Sequence, residues 1–239
     1  MVNELVTNSN TYDDLLSNVN FYVMPSINPD GYSYTFTDDR MWRKTRSHTD
    51  SPFGCKGADP NRNWDFHWNE IGASSNPCSE TYAGSGPFSE VEMRVVRDEI
   101  IRLGSKIKVY LTFHSYSQLW MYPWGYTSAL PDDWKDLDNL AQDAVSALTA
   151  VHGTQYEIGS STIYDHGGWL EAQMTGWHGP SRSGLRSGYI IFGASATLPP
   201  ELQVVVDGRG SEGCLRRRRG PEQARYPDSQ VPHRAASDP

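Results

Sequence analysis

The chain has 239 residues, of which 37 % are hydrophobic and 21 % are charged, so it is long and apolar enough to bury a core and is neither disordered nor fibrous. Its formal net charge of −8 argues against a nucleic-acid partner, because phosphate binding requires a basic surface. No apolar run approaches the roughly 20 residues of a membrane-spanning helix. The first residues lack the basic and apolar regions of a secretory signal, so we expect no signal peptide in this chain and no membrane partner.

The N-terminal part predicts one strand followed by long loops. Residues 20–24 form an aromatic and β-branched run, and residues 25–31 are rich in turn-forming Pro, Asn, Asp and Gly, which predicts a strand that runs into a turn. Residues 43–88 are rich in Trp, Pro, Gly, Asn and Ser and show little periodicity. We interpret them as ordered loops on a scaffold, where functional sites tend to lie.

The middle of the chain alternates helices and strands. A helix is predicted to begin at Ser89, with Ser89 and Glu92 as a capping box, and to end at Gly104. Its predicted buried face consists of Val91, Val95, Ile100 and Leu103. A buried strand is predicted over 107–113, a second helix over 134–151 with Gly153 as its stop, and another strand over 154–158. This alternation predicts an α/β sandwich with a mixed or parallel sheet.

The C-terminal part differs in composition. No lysine follows Lys135, four arginines are consecutive at 216–219, and helical patterning stops after about residue 165. Residues 207–239 are dominated by Gly, Pro, Arg and Ser, which is typical of a disordered tail. We predict a folded domain over 1–200 and a low-complexity tail over 201–239.

Two segments carry candidate chemistry. His114 follows the buried strand, where open α/β sheets place ligands, so it is either a metal ligand or a hydrogen-bonded structural residue. The segment 59–65 (DPNRNWD) places Arg62 beside Asn61. An arginine there is either a bidentate carboxylate-binding group or part of a structural ion pair with an aspartate.

Other candidates stay open between a functional and a structural role. The segment 40–46 holds four cations around a tryptophan, either as a surface patch or with one arginine directed inward to stabilise an oxyanion. Cys55 and Cys78 are either free thiols or a disulfide, and Tyr164 is either a mobile hydroxyl donor or a core residue. The chain contains no Walker loop, CxxC, HExxH or GxSxG motif.

Taken in order, these segments resemble the zinc metallocarboxypeptidases of the pancreatic carboxypeptidase A and B type. The matching strings cover about residues 1–164 and are INPDGY (27–32), RMWRKTRS (40–47), GADPNRNWD (57–65), SSNPCSETYAG (74–84), SEVE (89–92), HSYSQL (114–119), YPWGYT (122–127) and TIY (162–164). The resemblance implies a three-layer α/β sandwich with a mixed central sheet, present in part over 1–200. It also implies a zinc-dependent enzyme that removes C-terminal residues from peptides or proteins, in an extracellular or secreted setting.

The resemblance also implies a role for individual residues. His114 corresponds to a zinc ligand, Arg43 to the arginine that polarises the scissile carbonyl, and Asp59 to a carboxylate that orients a ligand histidine. The remaining residues with an implied role are the substrate-binding Asn61, Arg62, Tyr164, Ser115 and Tyr116, and the disulfide pair Cys55 and Cys78. A cis peptide bond is implied at Ser115–Tyr116.

The chain departs from the family pattern at two places. The HxxE motif that supplies two zinc ligands lies upstream of every matched string, so we expect an incomplete metal site, an exposed sheet edge and low stability. His67 and Glu70 fit HxxE as a string, but their position after NRNWD argues against a metal site there.

The second departure is the general base. The family strand that reads Phe-Glu-Leu-Arg corresponds here to residues 192–195, where Gly193 stands in place of the glutamate. One inserted nucleotide converts codons for the family string into codons for the observed one, so a shifted reading frame is our hypothesis. The resemblance therefore predicts a metallocarboxypeptidase with impaired activity; the alternatives are a non-catalytic binder of peptide C-termini and an incomplete gene model.

Overall fold

The structure is a computed structural model that describes residues 1–114, 117–160, 188–193 and 202–208, all within one compact unit, Met1–Arg209. Single turns of 3₁₀ helix lie at Ser9–Tyr12, Pro60–Arg62 and Gly104–Lys106. The helices are α1 (Val2–Thr7), α2 (Asp13–Asn18), α3 (Pro29–Thr37), α4 (Val91–Leu103) and α5 (Trp134–His152). The strands are β1 (Val19–Met24), β2 (Ile107–His114), β3 (Leu119–Tyr122), β4 (Glu157–Ser160), β5 (Gly188–Gly193) and β6 (Leu202–Gly208).

The six strands form one mixed sheet. Their order across the sheet is β1-β6-β2-β5-β3-β4. The pairs β2/β5 and β3/β4 are parallel, whereas β1/β6, β6/β2 and β5/β3 are antiparallel. The predicted mixed central sheet is therefore confirmed.

Helices cover the two faces of this sheet. Since side chains alternate along a strand, Tyr110 and Leu111 of β2 point to opposite faces. Tyr110 belongs to a buried cluster with three residues of α4, namely Met93, Val96 and Leu103. Leu111 packs against the other cluster, which contains Leu137, Ala141 and Val145 of α5. The result is the predicted three-layer arrangement of helix, sheet and helix.

The predicted capping box of α4 is wrong, and its predicted buried face is confirmed at Leu103 and Ile100 but wrong at Val91 and Val95. The helix begins at Val91 with Glu90 at the N-cap, and no side chain caps it. Val91 and Val95 are 57 % and 56 % exposed. The helix buries Leu103 together with Met93 and Val96, which the prediction did not include. The physical reason is that the Ser89 hydroxyl donates to the Glu90 carboxyl (2.9 Å) and accepts from Asn63 Nδ2 (2.8 Å), so tertiary contacts occupy it.

The turn predicted over 25–31 contains the start of a helix. Asn28 is the N-cap of α3, and its Oδ1 accepts from Gly31 N at 3.0 Å. Pro29 occupies the first helical position, where its missing N–H costs no hydrogen bond. The same Asn-Pro-Asp-Gly signals thus begin a helix, because the Asn28 side chain caps it and Pro29 suits its first position. Helices α1 and α2, six residues each, were not predicted.

The later elements are close to their predicted places. Helix α5 extends one residue beyond the predicted end, and Gly153 stops it with φ of 74° and an N–H that donates to Thr149 O at 2.7 Å. Strand β4 begins at Glu157 rather than at 154. The segment predicted as a tail from residue 201 begins with β6, whose Val204, Val205 and Val206 form a β-branched run. Residues 209–239 lie outside the described residues.

Candidate functional site

Two of the residues predicted to bind a carboxylate, Asn61 and Arg62, lie on one buried turn. Residues 60–62 form the 3₁₀ turn, and Asp59 caps it by accepting from Asn61 N through Oδ1 at 3.0 Å. Pro60 is compatible with the first position of such a turn. The side chains of Asp59, Asn61 and Arg62 are all buried. The local sequence thus folds into a rigid turn that holds its polar groups inside the protein.

Two carbonyl groups hold the Arg62 guanidinium in place. Its Nε donates to Gly72 O at 2.8 Å, and its Nη1 donates to Asn61 O at 3.0 Å. Because a guanidinium is planar and its donors have a fixed geometry, these two bonds determine the plane of the group. Arg62 is therefore oriented by the backbone around it.

Within the described part of the chain, the buried Asn61 side chain makes no hydrogen bond. Both Nδ2 and Oδ1 are inaccessible and have no partner among the described residues. A buried polar group without a partner costs about 1–3 kcal/mol, so its presence here needs an explanation. A buried amide that is next in sequence to a fixed guanidinium is suited to a ligand that carries both hydrogen-bond acceptors and negative charge.

Arg43 lies next to this turn because it pairs with Asp59. Arg43 Nη2 and Nε donate to Asp59 Oδ2 at 2.8 and 3.0 Å. The Arg43 side chain is 38 % exposed, whereas the Asp59 carboxylate is inaccessible. One carboxylate thus connects the Arg43 side chain to the Asn61 backbone. Its described partners are those two residues; a role toward a ligand histidine stays a prediction.

The segment that carries Arg43 is anchored on both sides. Lys44 O accepts from Asn28 Nδ2 at 3.0 Å and also from the indole of Trp42. Gly57, with φ of +69°, lies so close that an added Cβ would be 1.8 Å from Thr45 O. Only glycine permits this approach of the two backbone segments.

A buried lysine and a disulfide complete this support. Lys44 Nζ donates to Pro77 O at 2.6 Å, and burial of the amine lowers the pKa of Lys44, against the opposing charges of Glu80 and Asp59. Next in sequence to Pro77, Cys78 forms a disulfide with Cys55, with 5.2 Å between their Cα atoms. The predicted disulfide is therefore present, and it closes the loop that flanks the Arg43 segment.

His114 lies at the C-terminal end of β2, as predicted. Its Nε2 is 3.0 Å from Thr112 Oγ1. In the parallel pair of β2 and β5, His114 lies directly opposite Gly193. The residue that stands where the resemblance implies a glutamate is thus the register partner of the proposed zinc ligand.

The packing of β2 indicates whether His114 and the turn that carries Arg62 lie on the same face of the sheet. Tyr110, Thr112 and His114 alternate along β2 and therefore point to the same face. Tyr110 lies in the same buried cluster as Trp64, which follows Arg62 by two residues. His114 and the Arg62 turn are thus on the same side of the sheet; their convergence in one cleft stays a prediction.

A zinc site requires several ligand side chains that lie close together. Catalytic zinc normally requires three protein ligands, and no cluster of three His, Cys, Asp or Glu side chains occurs within the described part of the chain. His67 Nδ1 lies 2.8 Å from Glu70 Oε2, so these two residues pair with each other. The described residues alone do not fit a zinc site.

Several predicted site features lie outside the described residues. These are the substrate-binding Ser115, Tyr116 and Tyr164, and the cis peptide bond implied at Ser115–Tyr116. Within the described backbone, a cis peptide bond occurs at Pro123–Trp124. Nor is any helix among the described residues long and apolar enough to cross a bilayer.

Three buried polar residues around the turn were not predicted from the sequence, namely Thr45, Asn63 and Glu90. Each of them lies inside one of the strings that carry the resemblance, which was the available signal. Their hydrogen bonds join segments that are far apart in sequence, so no local pattern predicted them.

Comparison with known sequences agrees with the geometry. The profile of the zinc carboxypeptidase family, Peptidase M14, matches residues 1–179. The chain is 64 % identical over 214 residues to a protein of Astacus astacus named Carboxypeptidase B, covering 87 % of this chain and 69 % of that protein. It is 49 % identical over 166 residues to a protein of Simulium vittatum named Zinc carboxypeptidase, covering 69 % of this chain and 54 % of that protein.

A mammalian relative is matched over a smaller share of its length. Carboxypeptidase A1 of Rattus norvegicus is 50 % identical over 160 residues, which are 66 % of this chain and 38 % of the rat protein. The chain therefore spans between about a third and two thirds of the length of these relatives.

Solved structures show the same fold. Bovine thrombin-activatable fibrinolysis inhibitor, in complex with tick carboxypeptidase inhibitor, matches with a TM-score of 0.63 and 37 % identity, covering 71 % of this chain and 56 % of that one. Carboxypeptidase A of Helicoverpa armigera matches with a TM-score of 0.60 and 29 % identity, over 71 % and 41 % of the two chains. Because the family profile covers well over half of the chain, this protein belongs to the zinc carboxypeptidase family.

Proposed function

We propose that this chain recognises the C-terminal carboxylate of peptides in the manner of a metallocarboxypeptidase. The observation that carries the proposal is the buried Asn61 amide, which lacks a partner among the described residues, beside the fixed guanidinium of Arg62. A peptide carboxylate would accept from both groups. Charge-assisted hydrogen bonds of this kind are among the strongest in proteins.

Arg43 is proposed to act on the neighbouring carbonyl of the peptide. Asp59 holds its Nε and Nη2, while the side chain remains 38 % exposed. A donor held in this way needs no reorganisation when negative charge develops on an oxygen, which is the basis of oxyanion stabilisation. Ser115, Tyr116 and Tyr164 are proposed as further substrate contacts.

The chain as it stands is proposed to bind peptide C-termini and to hydrolyse them weakly. The family implies zinc, and His114 is its proposed ligand, but the described residues do not form a three-ligand site. Gly193 lies opposite His114 and has no side chain that accepts a proton from water. We therefore derive no hydrolytic step for these residues.

An extracellular setting is part of the proposal. The disulfide between Cys55 and Cys78 supports it, because such bonds persist in oxidising compartments and are rare in the cytosol. Mass spectrometry of the protein from its source, without reduction, would show this bond intact; a reduced pair would contradict the secreted setting.

Isothermal titration tests the binding. The probes are N-acetylated dipeptides that end in Phe, Arg or Glu, each compared with its C-terminal amide, with and without a chelator. We expect the free acid to bind about tenfold more tightly than the amide or better, since a charged hydrogen bond contributes about 1.5–3 kcal/mol. Equal affinities for acid and amide would contradict the proposal.

Two further arms make the test specific. Arg62→Lys should abolish the preference for the free acid, because an ammonium cannot reproduce the guanidinium geometry, while Arg102→Lys on an exposed face of α4 should not.

Chromatography of the dipeptides after incubation with zinc measures hydrolysis. Turnover at the rate of an ordinary enzyme, on the order of 10 s⁻¹, would contradict the proposed weak hydrolysis and show an active carboxypeptidase.

A further inference from the structure

Glu90 is a buried acidic residue that the proposed function does not use. It lies at the N-cap of α4 and is almost fully buried. None of the ion pairs within the described residues includes it. A buried carboxyl group without a cation is costly unless hydrogen bonds satisfy it, so its contacts indicate what it does.

The first contacts lead to the start of the turn. Glu90 Oε2 accepts from the Thr45 hydroxyl. The same hydroxyl accepts from Ala58 N at 2.9 Å, and Thr45 N donates to Ala58 O at 2.8 Å. Ala58 immediately precedes Asp59, so Glu90 holds the chain where the turn begins.

The second set of contacts leads to the end of the turn. Glu90 N donates to Asn63 Oδ1 at 3.0 Å, and Glu90 Oε1 accepts from the Ser89 hydroxyl at 2.9 Å. That hydroxyl accepts from Asn63 Nδ2 at 2.8 Å. Asn63 immediately follows Arg62, so the same glutamate also holds the chain where the turn ends.

Backbone carbonyl groups and a glycine surround this network closely. Asn63 Nδ2 also donates to Ala83 O at 2.7 Å and to Gly86 O at 3.0 Å. A Cβ at Gly84 would lie 2.3 Å from Ser89 Oγ and 2.4 Å from Asn63 Nδ2. There is thus no room for a side chain at Gly84, and Ser89 and Asn63 are closely packed next to Glu90.

We propose that Glu90 is a positioning residue for carboxylate recognition, because it braces both ends of the turn that carries Asn61 and Arg62. This inference rests on the proposed function. A ligand that makes several directed hydrogen bonds depends steeply on the placement of its partners. Loss of the brace should therefore weaken recognition of the carboxylate in particular, beyond any general loss of stability.

The test compares Glu90→Ala and Glu90→Gln with Met93→Ala. Met93 is fully buried on the same helix, so its truncation destabilises the fold without touching the brace. Isothermal titration with the N-acetylated dipeptides and their amides gives the acid-to-amide preference of each variant. We expect Glu90→Ala to reduce the preference about tenfold, and Glu90→Gln, which keeps an oxygen for the Thr45 hydroxyl, to restore most of it.

Met93→Ala should unfold at lower denaturant concentration and keep the wild-type preference. If Glu90→Ala and Met93→Ala have the same preference as the wild type, the positioning role is overturned. Should Glu90→Ala fail to fold, Thr45→Val takes its place, because it removes the hydroxyl that joins Glu90 to Ala58 and keeps the shape of the side chain.

Hydrogen exchange keeps the two proposals separate. If the wild type shows no preference for the acid, the proposed function fails, and exchange at the amides of Ala58 and Asn61 decides the brace alone. Exchange at these amides at least about tenfold faster in Glu90→Ala than in Met93→Ala, at equal global stability, would support the brace. Equal rates in both variants would overturn it.

Discussion

Arg43 donates through both Nε and Nη2 to a single carboxylate oxygen, Oδ2 of Asp59. The other oxygen, Oδ1, accepts from the backbone N–H of Asn61. The carboxylate is inaccessible to water, so these donors replace its hydration. Asp59 thereby connects the partly exposed Arg43 side chain to the buried turn that carries Asn61. Two of the residues proposed to contact the substrate are thus joined by hydrogen bonds to one carboxylate.

Removal of the Arg43 guanidinium should lower the free energy of unfolding. Arg43→Met takes both donors from Oδ2 of the buried Asp59 carboxylate, and a buried charged oxygen that loses its donors costs about 1–3 kcal/mol or more. Urea unfolding at neutral pH measures the loss. The double variant Arg43→Met, Asp59→Asn should recover part of it, since the unpaired charge is then absent.

The control for this prediction is an arginine in a surface ion pair. Arg102 contacts Glu99 on the exposed face of α4, where such pairs contribute little. Arg102→Met should cost less than Arg43→Met. Equal losses in the two variants would mean that the buried carboxylate of Asp59 does not depend on Arg43.

The disulfide should make a measurable contribution to stability. Cys55 and Cys78 are 23 residues apart, and closure of a loop of this length lowers the entropy of the unfolded chain by an amount equivalent to about 3 kcal/mol. The substitution of both cysteines by alanine, followed by denaturant unfolding, measures this. Unfolding midpoints that are the same for the variant and the parent would contradict the expectation.

Lys44 should give the protein a rising stability on the alkaline side. In the folded state, burial lowers the pKa of Lys44 below its ordinary value of 10.5. The folded chain therefore releases this proton at a lower pH than the unfolded chain. Between the lowered folded pKa and 10.5 the unfolded state binds more protons, and stability increases with pH.

The variant Lys44→Met should remove this pH dependence. The free energy of unfolding of the wild type, minus that of the variant, should therefore increase as the pH approaches 10.5 from below. Lys106→Met, at an exposed side chain, serves as the control and should track the wild type. A constant difference across this range would show that the buried amine does not release its proton early.

Tyr122 should have the opposite effect at higher pH. Burial, together with its hydrogen bond to Asp138 at 3.0 Å, raises the pKa of Tyr122 to about 12. Above pH 10 the unfolded chain loses the phenol proton while the folded chain retains it, so stability falls as the pH rises from 10 to 12. Tyr122→Phe should show a shallower decline over this interval in denaturant titrations. Parallel declines would contradict the raised pKa.

Much of the fold followed from local patterns. The strand before His114 and the helix that ends at Gly153 were predicted within one residue of their boundaries, because a buried apolar run and a glycine stop act through their immediate neighbours. The start of α4 was misplaced, because Ser89 has the residue type of a cap but its hydroxyl is occupied by Asn63 and Glu90. At this position, tertiary hydrogen bonds outweigh the local preference of serine for the N-cap.

The sequence by itself determined the candidate chemistry, since the residue types and order of the strings around Arg43, Asn61 and His114 carry the family resemblance. It did not determine how these groups are held. The pairing of Asp59 with Arg43, the burial of the Asn61 amide and the hydrogen bond from Thr45 to Glu90 all depend on contacts between segments up to 45 residues apart. Such contacts form only when burial removes water from the groups concerned, and for that reason only the tertiary structure decided them.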